Sequence, residues 1–260
     1  MIKNYGLGTH KMSSPLTLTI TLTEKHMTQQ EFKPKAMNEW ERIDLQRKVE
    51  KQKSVEGFKQ KLSLVCQNYC INNIRVEFYG SGDDGSIESC EVQFDKGITT
   101  KYSAKETIEF QEQAIKHLAN REHDKKTIPP TTKFDWKNLT GVVKDYDWAK
   151  KRKLTDNEKD LHYAVYNIIV EKFMNETFKI TKQKSEGNTG TPVEIDRAVK
   201  VSEAIDDWCY DQLEITGYDW YNNDGGSGNF EFNDPKDPDA EVTLELSINR
   251  MESDDYQFDL

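Results

Sequence analysis

Apolar positions along the chain recur at two periods. Leu16-Thr-Leu-Thr-Ile-Thr-Leu-Thr23 alternates aliphatic and hydroxyl residues, the period of a β-strand suited to a sheet edge. From about Asn38 to Tyr69 the period lengthens. Leu45 and Val49, then Phe58, Leu62, Val65 and Tyr69, fall at helical spacing, with Gly57 marking a break between a charged half and an apolar half that packs on the sheet. Asn72 and Asn73 predict a turn into Ile74-Arg-Val-Glu-Phe78, which alternates again. Beyond a glycine-rich loop, Ile87, Cys90, Val92 and Phe94 recur out of strict register, as a β-bulge produces.

The middle of the chain is less regular. Ala104 to Asn120 has helical composition, Pro129-Pro130 ends any helix, and Phe134-Asp-Trp136, Tyr146-Asp-Trp148 and the basic cluster Lys150 to Lys153 follow, so that residues 95–154 read as an insertion. Thr155-Asp-Asn-Glu158 has the form of a capping box ahead of Leu161, Val165, Ile168 or Ile169, and Phe173. Thr191-Pro-Val-Glu194 has the same form and predicts a helix through Ile195, Ala198, Ser202, Ile205 and Cys209, closed by Gly217, with Lys182 to Gly190 as a loop. Asn229 to Asn233 and Glu241 to Ile248 alternate as strands across the turn residues Asp234 to Asp239, and Tyr256 to Leu260 has the pattern of a closing strand.

Two glycine-acid stretches dominate this layout. Val76-Glu-Phe-Tyr-Gly-Ser-Gly-Asp-Asp-Gly-Ser-Ile-Glu88 and Tyr218-Asp-Trp-Tyr-Asn-Asn-Asp-Gly-Gly-Ser-Gly-Asn-Phe-Glu231 each predict a strand, a tight loop and a second strand. A helix precedes each of them. The pattern implies an α+β fold, a mainly antiparallel sheet with helices packed on one face. Residues 1–36 form an N-terminal extension with an edge strand, and residues 37–260 a single domain carrying the insertion.

Charge sharpens the reading. The 260 residues carry a net charge of −10, yet the segment from Val201 to Leu260 holds seventeen acids against Lys236 and Arg250, a net −15, so residues 1–200 are net basic. Such an acidic third repels phosphates, which excludes nonspecific nucleic-acid binding there. Cys66, Cys70, Cys90 and Cys209 lack paired metal-ligand spacing and read as reduced, mostly buried thiols, with Cys66 and Cys70 one helical turn apart. No apolar run has the length to cross a bilayer, and no signal-peptide core is present, so the expectation is a cytoplasmic protein without membrane association. No glycine loop opening a helix has the form of a phosphate cradle or dinucleotide fingerprint.

The two stretches, with Cys209-Tyr-Asp-Gln-Leu213 before the second and Val242-Thr-Leu-Glu-Leu-Ser-Ile-Asn249 after it, resemble a family of small bacterial and mobile-element proteins with no assigned activity. Its members pair a Gly-Asp-Ser-Gly hairpin with a Trp-Glu-Asn-Asn-Asp-Gly hairpin. The resemblance covers residues 58–94 and 195–260, with Asp84 in place of the usual Ser and Tyr221 in place of the usual Glu. It implies a shared fold and paired loops but no reaction, and a bacteriophage or mobile-element setting in a bacterial host.

Three classes follow: an interaction protein, a divalent-metal module, and a structural subunit. The first is favoured. Trp220, Tyr221, Asn223, Asp237 and Asp239 are its candidate contacts with a basic host protein, such as a defence or DNA-processing factor that the chain inhibits or recruits. In the metal alternative, Asp83, Asp84 and Asp224, with Glu88 or Asn223, supply oxygen ligands to a divalent cation, although neither loop has EF-hand spacing. No catalytic residue and no other cofactor is assigned. Asp and Asn in such loops also commonly bond their own backbone and hold the turn.

Overall fold

The computed structural model describes residues 16–22, 57–120, 127–129, 131–139, 146–147, 152–184, 193–222 and 225–249. β1 (Leu16–Leu22) is followed by a helix, α1, over residues 57–69, then β2 (Ile71–Ser81) and β3 (Asp84–Phe94). Next come the single turn α2 (Ile98–Lys101), α3 (Ala104–Asn120), a 3-10 turn at Trp136–Leu139, the two-residue strands β4 (Tyr146–Asp147) and β5 (Arg152–Lys153), and α4 (Asp156–Asn175). The chain then forms β6 (Thr177–Lys184), β7 (Val193–Lys200), α5 (Val201–Thr216), β8 (Gly226–Asn233) and β9 (Val242–Ile248). This is an α+β fold. Its main sheet has five strands in the order β1-β9-β8-β2-β3, and every pairing in it is antiparallel.

Alternation decides which face of the sheet is dry. Ile74, Val76 and Phe78 of β2, Val92 and Phe94 of β3, Phe230 and Phe232 of β8, and Leu244 and Leu246 of β9 are all buried. The helices cover that face. Trp208 of α5 stacks on Phe58 of α1 at 5.8 Å and meets Phe232 at 5.0 Å, while Tyr166 of α4 sets its ring edge-on to Phe94 at 5.8 Å. The opposite face is polar. Asn229, itself buried, donates to Glu245 at 3.0 Å, Asn73 to Asn233 at 3.3 Å and Ser89 to Glu77 at 3.1 Å, cross-strand pairs along that face.

β1 is the edge strand that its alternation predicts. Its register aligns Leu16, Leu18, Ile20 and Leu22 with Ile248, Leu246, Leu244 and Val242. β3 is the other edge, and two phenols occupy its outward backbone groups: Ile87 N–H donates to Tyr210 Oη at 3.2 Å, and Tyr166 Oη both donates to the Val92 carbonyl at 2.9 Å and accepts from Val92 N–H at 3.2 Å. The expected bulge is present, with Glu77 paired to Ser89 and Phe78 to Ile87, so that Glu88 is the extra residue.

Several expectations are corrected. The second box-like sequence does not open a helix: residues 193–200 form β7, paired along its length with β6, and α5 begins at Val201. The reason is periodicity, since Val193, Ile195 and Val199 fall on alternate positions, whereas the buried stripe Val201, Ala204, Ile205, Trp208, Cys209 and Leu213 has helical spacing. Lys182 to Lys184 accordingly belong to β6 rather than to a loop. Cys70 lies past the end of α1 with φ +55°, so it is not on the helical face with Cys66, and β2 already begins at Ile71. Beside these corrections, the segment read as an insertion packs Ile98, Phe110, Ala114, Leu118, Ile128 and Leu139 into the common core. The strand expected at residues 256–260 lies outside the described residues.

The capping box at Thr155 forms as expected: Thr155 Oγ1 accepts from Glu158 N–H at 3.3 Å, and Glu158 Oε2 accepts from Thr155 N–H at 2.9 Å. One turn on, buried His162 ties α4 to the segment before the 3-10 turn. Its Nε2 accepts from Asp135 N–H at 3.1 Å, which places the proton on Nδ1 for donation to the Glu158 carbonyl, and its ring stacks on Phe134 at 4.8 Å. Burial lowers its pKa, opposed by that carbonyl and by the Asp135 and Glu158 carboxylates. The unfolded chain therefore takes up a proton first as the pH falls through about 6.5, and stability decreases below that value. Denaturant titrations across that range are expected to show the decrease in the native chain and a smaller one in His162→Gln. Thr155→Ala is expected to cost about 1 kcal/mol at any pH and Thr155→Ser much less.

Candidate functional site

The two glycine-acid stretches meet at the end of the sheet where β2 finishes. The first is a hairpin, as predicted: Ser81 pairs with Asp84 across the two-residue turn Gly82-Asp83. Both turn residues have positive φ, +63° and +77°, the conformation that a type I′ turn requires and that gives such hairpins their Gly, Asn and Asp preference. Asp83 is therefore accounted for by the turn. Asp84 accepts a hydrogen bond from Gly85 N–H at 2.9 Å, the self-bonding role open to acids in loops.

The second stretch is not a hairpin. α5 ends at Gly217 in the left-handed conformation, residues 218–222 run without regular structure, and β8 starts at Gly226, so the stretch joins a helix to a strand. The hairpin that includes β8 turns instead at residues 234–241, at the opposite end of the sheet. What the two stretches share is Trp220. Its indole lies over the base of the first hairpin, where a Cβ on Gly85 would come within 2.6 Å of the ring and one on Gly80 within 2.6 Å of the Trp220 carbonyl oxygen. A Cβ on Gly225 would overlap the Gly80 carbonyl. Asp83 N–H donates to the Tyr221 carbonyl at 3.1 Å, and β2 pairs with β8 through Gly80 and Gly226. The glycines are thus the space into which the second segment fits.

Of the residues predicted to contact a partner, Trp220 is only 5 % exposed and packs edge-on to Phe78 at 5.4 Å, so it is a core anchor and not a contact surface. Tyr221 is 43 % exposed and sits edge-on to Trp220 at 5.6 Å. Asp237 and Asp239 are exposed but lie in the β8–β9 turn, a full strand length of roughly 27 Å away from Trp220 at about 3.4 Å per residue. They do not share a surface with Tyr221. Asn223 and Asp224 lie outside the described residues. Among the described residues no three His, Cys, Asp or Glu side chains are placed to hold a metal ion, Asp83 and Asp84 included. His162 is committed to Asp135 and Glu158.

Residues that the sequence reading missed complete the site. Tyr210 of α5 is exposed, lies 6.2 Å from Trp220 and bonds Ile87 of the first hairpin, while Tyr218 is exposed just ahead of Trp220. The outward face of α5 bears Glu203, Asp207, Tyr210 and Glu214, and Asp219 follows; all five are exposed. Their spacing of three and four was the available signal, since it is complementary to the buried stripe. Two thiols lie beneath this surface. Burial, reinforced by Asp206, pushes Cys90 up to about 12 and Cys209 well above the ordinary thiol value, so neither is a thiolate nucleophile. Burial and the neighbouring Asp207 also raise the Asp206 carboxyl. The arrangement presents aromatic area rimmed by carboxylates, a chemistry of recognition.

Residues 174–260 match a family described as a family of unknown function, DUF6878. The matched segment spans β6 to β9 and includes Trp220 and Tyr221 but not the β2–β3 hairpin on which Trp220 rests. No curated protein and no solved structure matches the chain.

Gly85→Ala is expected to displace the Trp220 ring, lowering stability by about 1–3 kcal/mol in denaturant titrations with a red shift of tryptophan emission. Asp83→Asn is expected to be nearly neutral and Asp83→Val to cost about 1–2 kcal/mol, the order that a left-handed turn position imposes.

Proposed function

We propose that the protein is a binding module that recognises a basic segment of a partner protein through the surface around Tyr221, Tyr210 and Tyr218. The observation that carries this reading is the grouping of exposed tyrosines over the buried Trp220, at the junction of the two loops and beside the acidic face of α5. Tyrosine offers a large contact area with few rotors to immobilise, and aromatic side chains dominate binding energy when they become buried at an interface. The surrounding carboxylates steer a basic partner and select against acidic ones. Inhibition or recruitment is a use to which such a module would be put by a mobile element acting on a host factor, and this remains part of the same proposal.

The acids of α5 add weight. Its last turn carries no basic residue and includes Glu214, although negative charge near a helix C-terminus opposes the helix dipole. Asp237 and Asp239 have no part in this surface, which separates the present reading from one based on overall acidity.

The test is binding of the full chain to an array of lysine- and arginine-rich peptides, followed by titration of the strongest. Tyr221→Ala is expected to weaken binding by about tenfold with no loss of thermal stability, Asp219→Lys to slow association, and Asp237→Lys with Asp239→Lys to leave affinity unchanged. Absence of saturable binding to any basic peptide, or equal sensitivity to the charge reversals at the two ends of the sheet, would overturn the proposal.

A further inference from the structure

At the other end of the sheet, where β2 begins, the C-terminal turns of α1 and α4 face the start of α3 across a cleft of about 420 Å³. Its walls are aromatic. Tyr102 meets Phe110 edge-on at 5.0 Å and is backed by Trp136, stacked on it at 5.0 Å, while Tyr69 leans on Phe173 at 5.7 Å. Burial raises both phenols above their ordinary value, Tyr102 to about 12, so they stay neutral and present their ring faces. Carboxylates supply the rim. Glu176 accepts from Tyr69 Oη at 2.7 Å, which orients it, and Glu109, ion-paired with Lys105 at 3.8 Å, lines the cleft from α3; Glu106 also lines it but is committed to capping Ser103 at 2.8 Å.

Two cations already stand in this setting: Lys101 lines the cleft near Glu106, and Lys172 reaches its aromatic wall. Lys172 Nζ stands 4.5 Å from the centroid of Phe110, close enough for the ring quadrupole to attract it. Lys172 is exposed at the end of a flexible stem, and its ammonium is compact and strongly hydrated, so moving it aside into water costs little. A cation that is weakly hydrated loses less on leaving water and gains more from the same ring. Neighbouring carboxylates balance its charge.

We propose that this cleft binds a weakly hydrated organic cation, a guanidinium or a methylated ammonium group, on the face of Phe110 that Lys172 covers. The cleft is separated from the aromatic rim around Tyr221 by the length of β2, so the two proposals stand or fall independently. Its volume exceeds that of the cationic head alone and leaves room for the chain that carries it.

Calorimetric titration of the full chain with choline, with the neutral carbon isostere of choline and with N-acetyl-arginine amide tests this. Saturable binding of at least one cation and none of the isostere is expected. Lys172→Gln is expected to tighten that binding about threefold and Glu176→Gln to weaken it by a similar factor, while Phe110→Leu abolishes it. Preference for choline indicates a free amine as the natural ligand, and preference for the arginine amide indicates a protein side chain. Should Phe110→Leu not fold, the opposite effects of the two exposed substitutions decide. No saturable binding of either cation to the native chain or to Lys172→Gln would overturn the proposal, as would an isostere that binds as well as choline, or affinities that neither Lys172→Gln nor Glu176→Gln changes.

Discussion

The seating of the Trp220 indole on Gly80 and Gly85 is the contact on which one end of the molecule depends. It joins segments 140 residues apart in sequence through a ring that can approach a backbone only where side chains are missing. The consequences spread outward. The ring packs edge-on to Phe78 and to the exposed Tyr221, and Gly225 passes close against the Gly80 carbonyl just before β8 pairs with β2. Tyr210 closes the arrangement from the helix side by bonding the backbone of β3. A single large aromatic residue thus links the first hairpin, the segment before β8 and the exposed Tyr221.

The sheet separates two chemistries along its length. Around Trp220, tyrosines lie among acids with no cation from α5 in the last turn. At the opposite end, Lys236 bridges to Asp95 at 2.5 Å and Gln67 donates to the Lys236 carbonyl at 3.0 Å, so the β8–β9 turn is bound into the fold by one of the two basic residues after Val201. The strong negative charge of the C-terminal third is therefore not one surface. Part of it lies in the contacts that hold the β8–β9 turn, and part on the exposed face of α5, where Glu203 pairs with Arg197 at 3.4 Å.

Legibility from sequence followed periodicity. α3, α4 and its cap, the β3 bulge and the edge strand β1 could be read because each shows an unbroken period or a local capping signature. β7 was misread because Thr191-Pro-Val-Glu194 matches a helix start locally, whereas its pairing with β6 is a tertiary fact that residues 193–200 alone express only as a short alternation. The site was legible in half. Glycine and acid content identified both segments, but the exposure of Trp220 depends on whether another backbone can approach it, which is decided by Gly80 and Gly85 far away in the chain. The distance between Tyr221 and Asp237 followed from strand direction, which composition does not carry.

The closure of β3 by Tyr210 and Tyr166 has a consequence for how the chain fails. Most sheet edges are guarded by charge or proline on the strand itself, a protection that survives local unfolding. Here the bulge at Glu88 is supplemented by phenols borne by α5 and α4, and that part of the protection lasts only while those helices stay docked. A fluctuation that lifts α5 removes Trp208 from the core and uncaps Ile87 in the same event, exposing apolar surface and an open hydrogen-bonding edge together. The docking of α5 and α4 thus couples the covering of the core to the closing of a sheet edge.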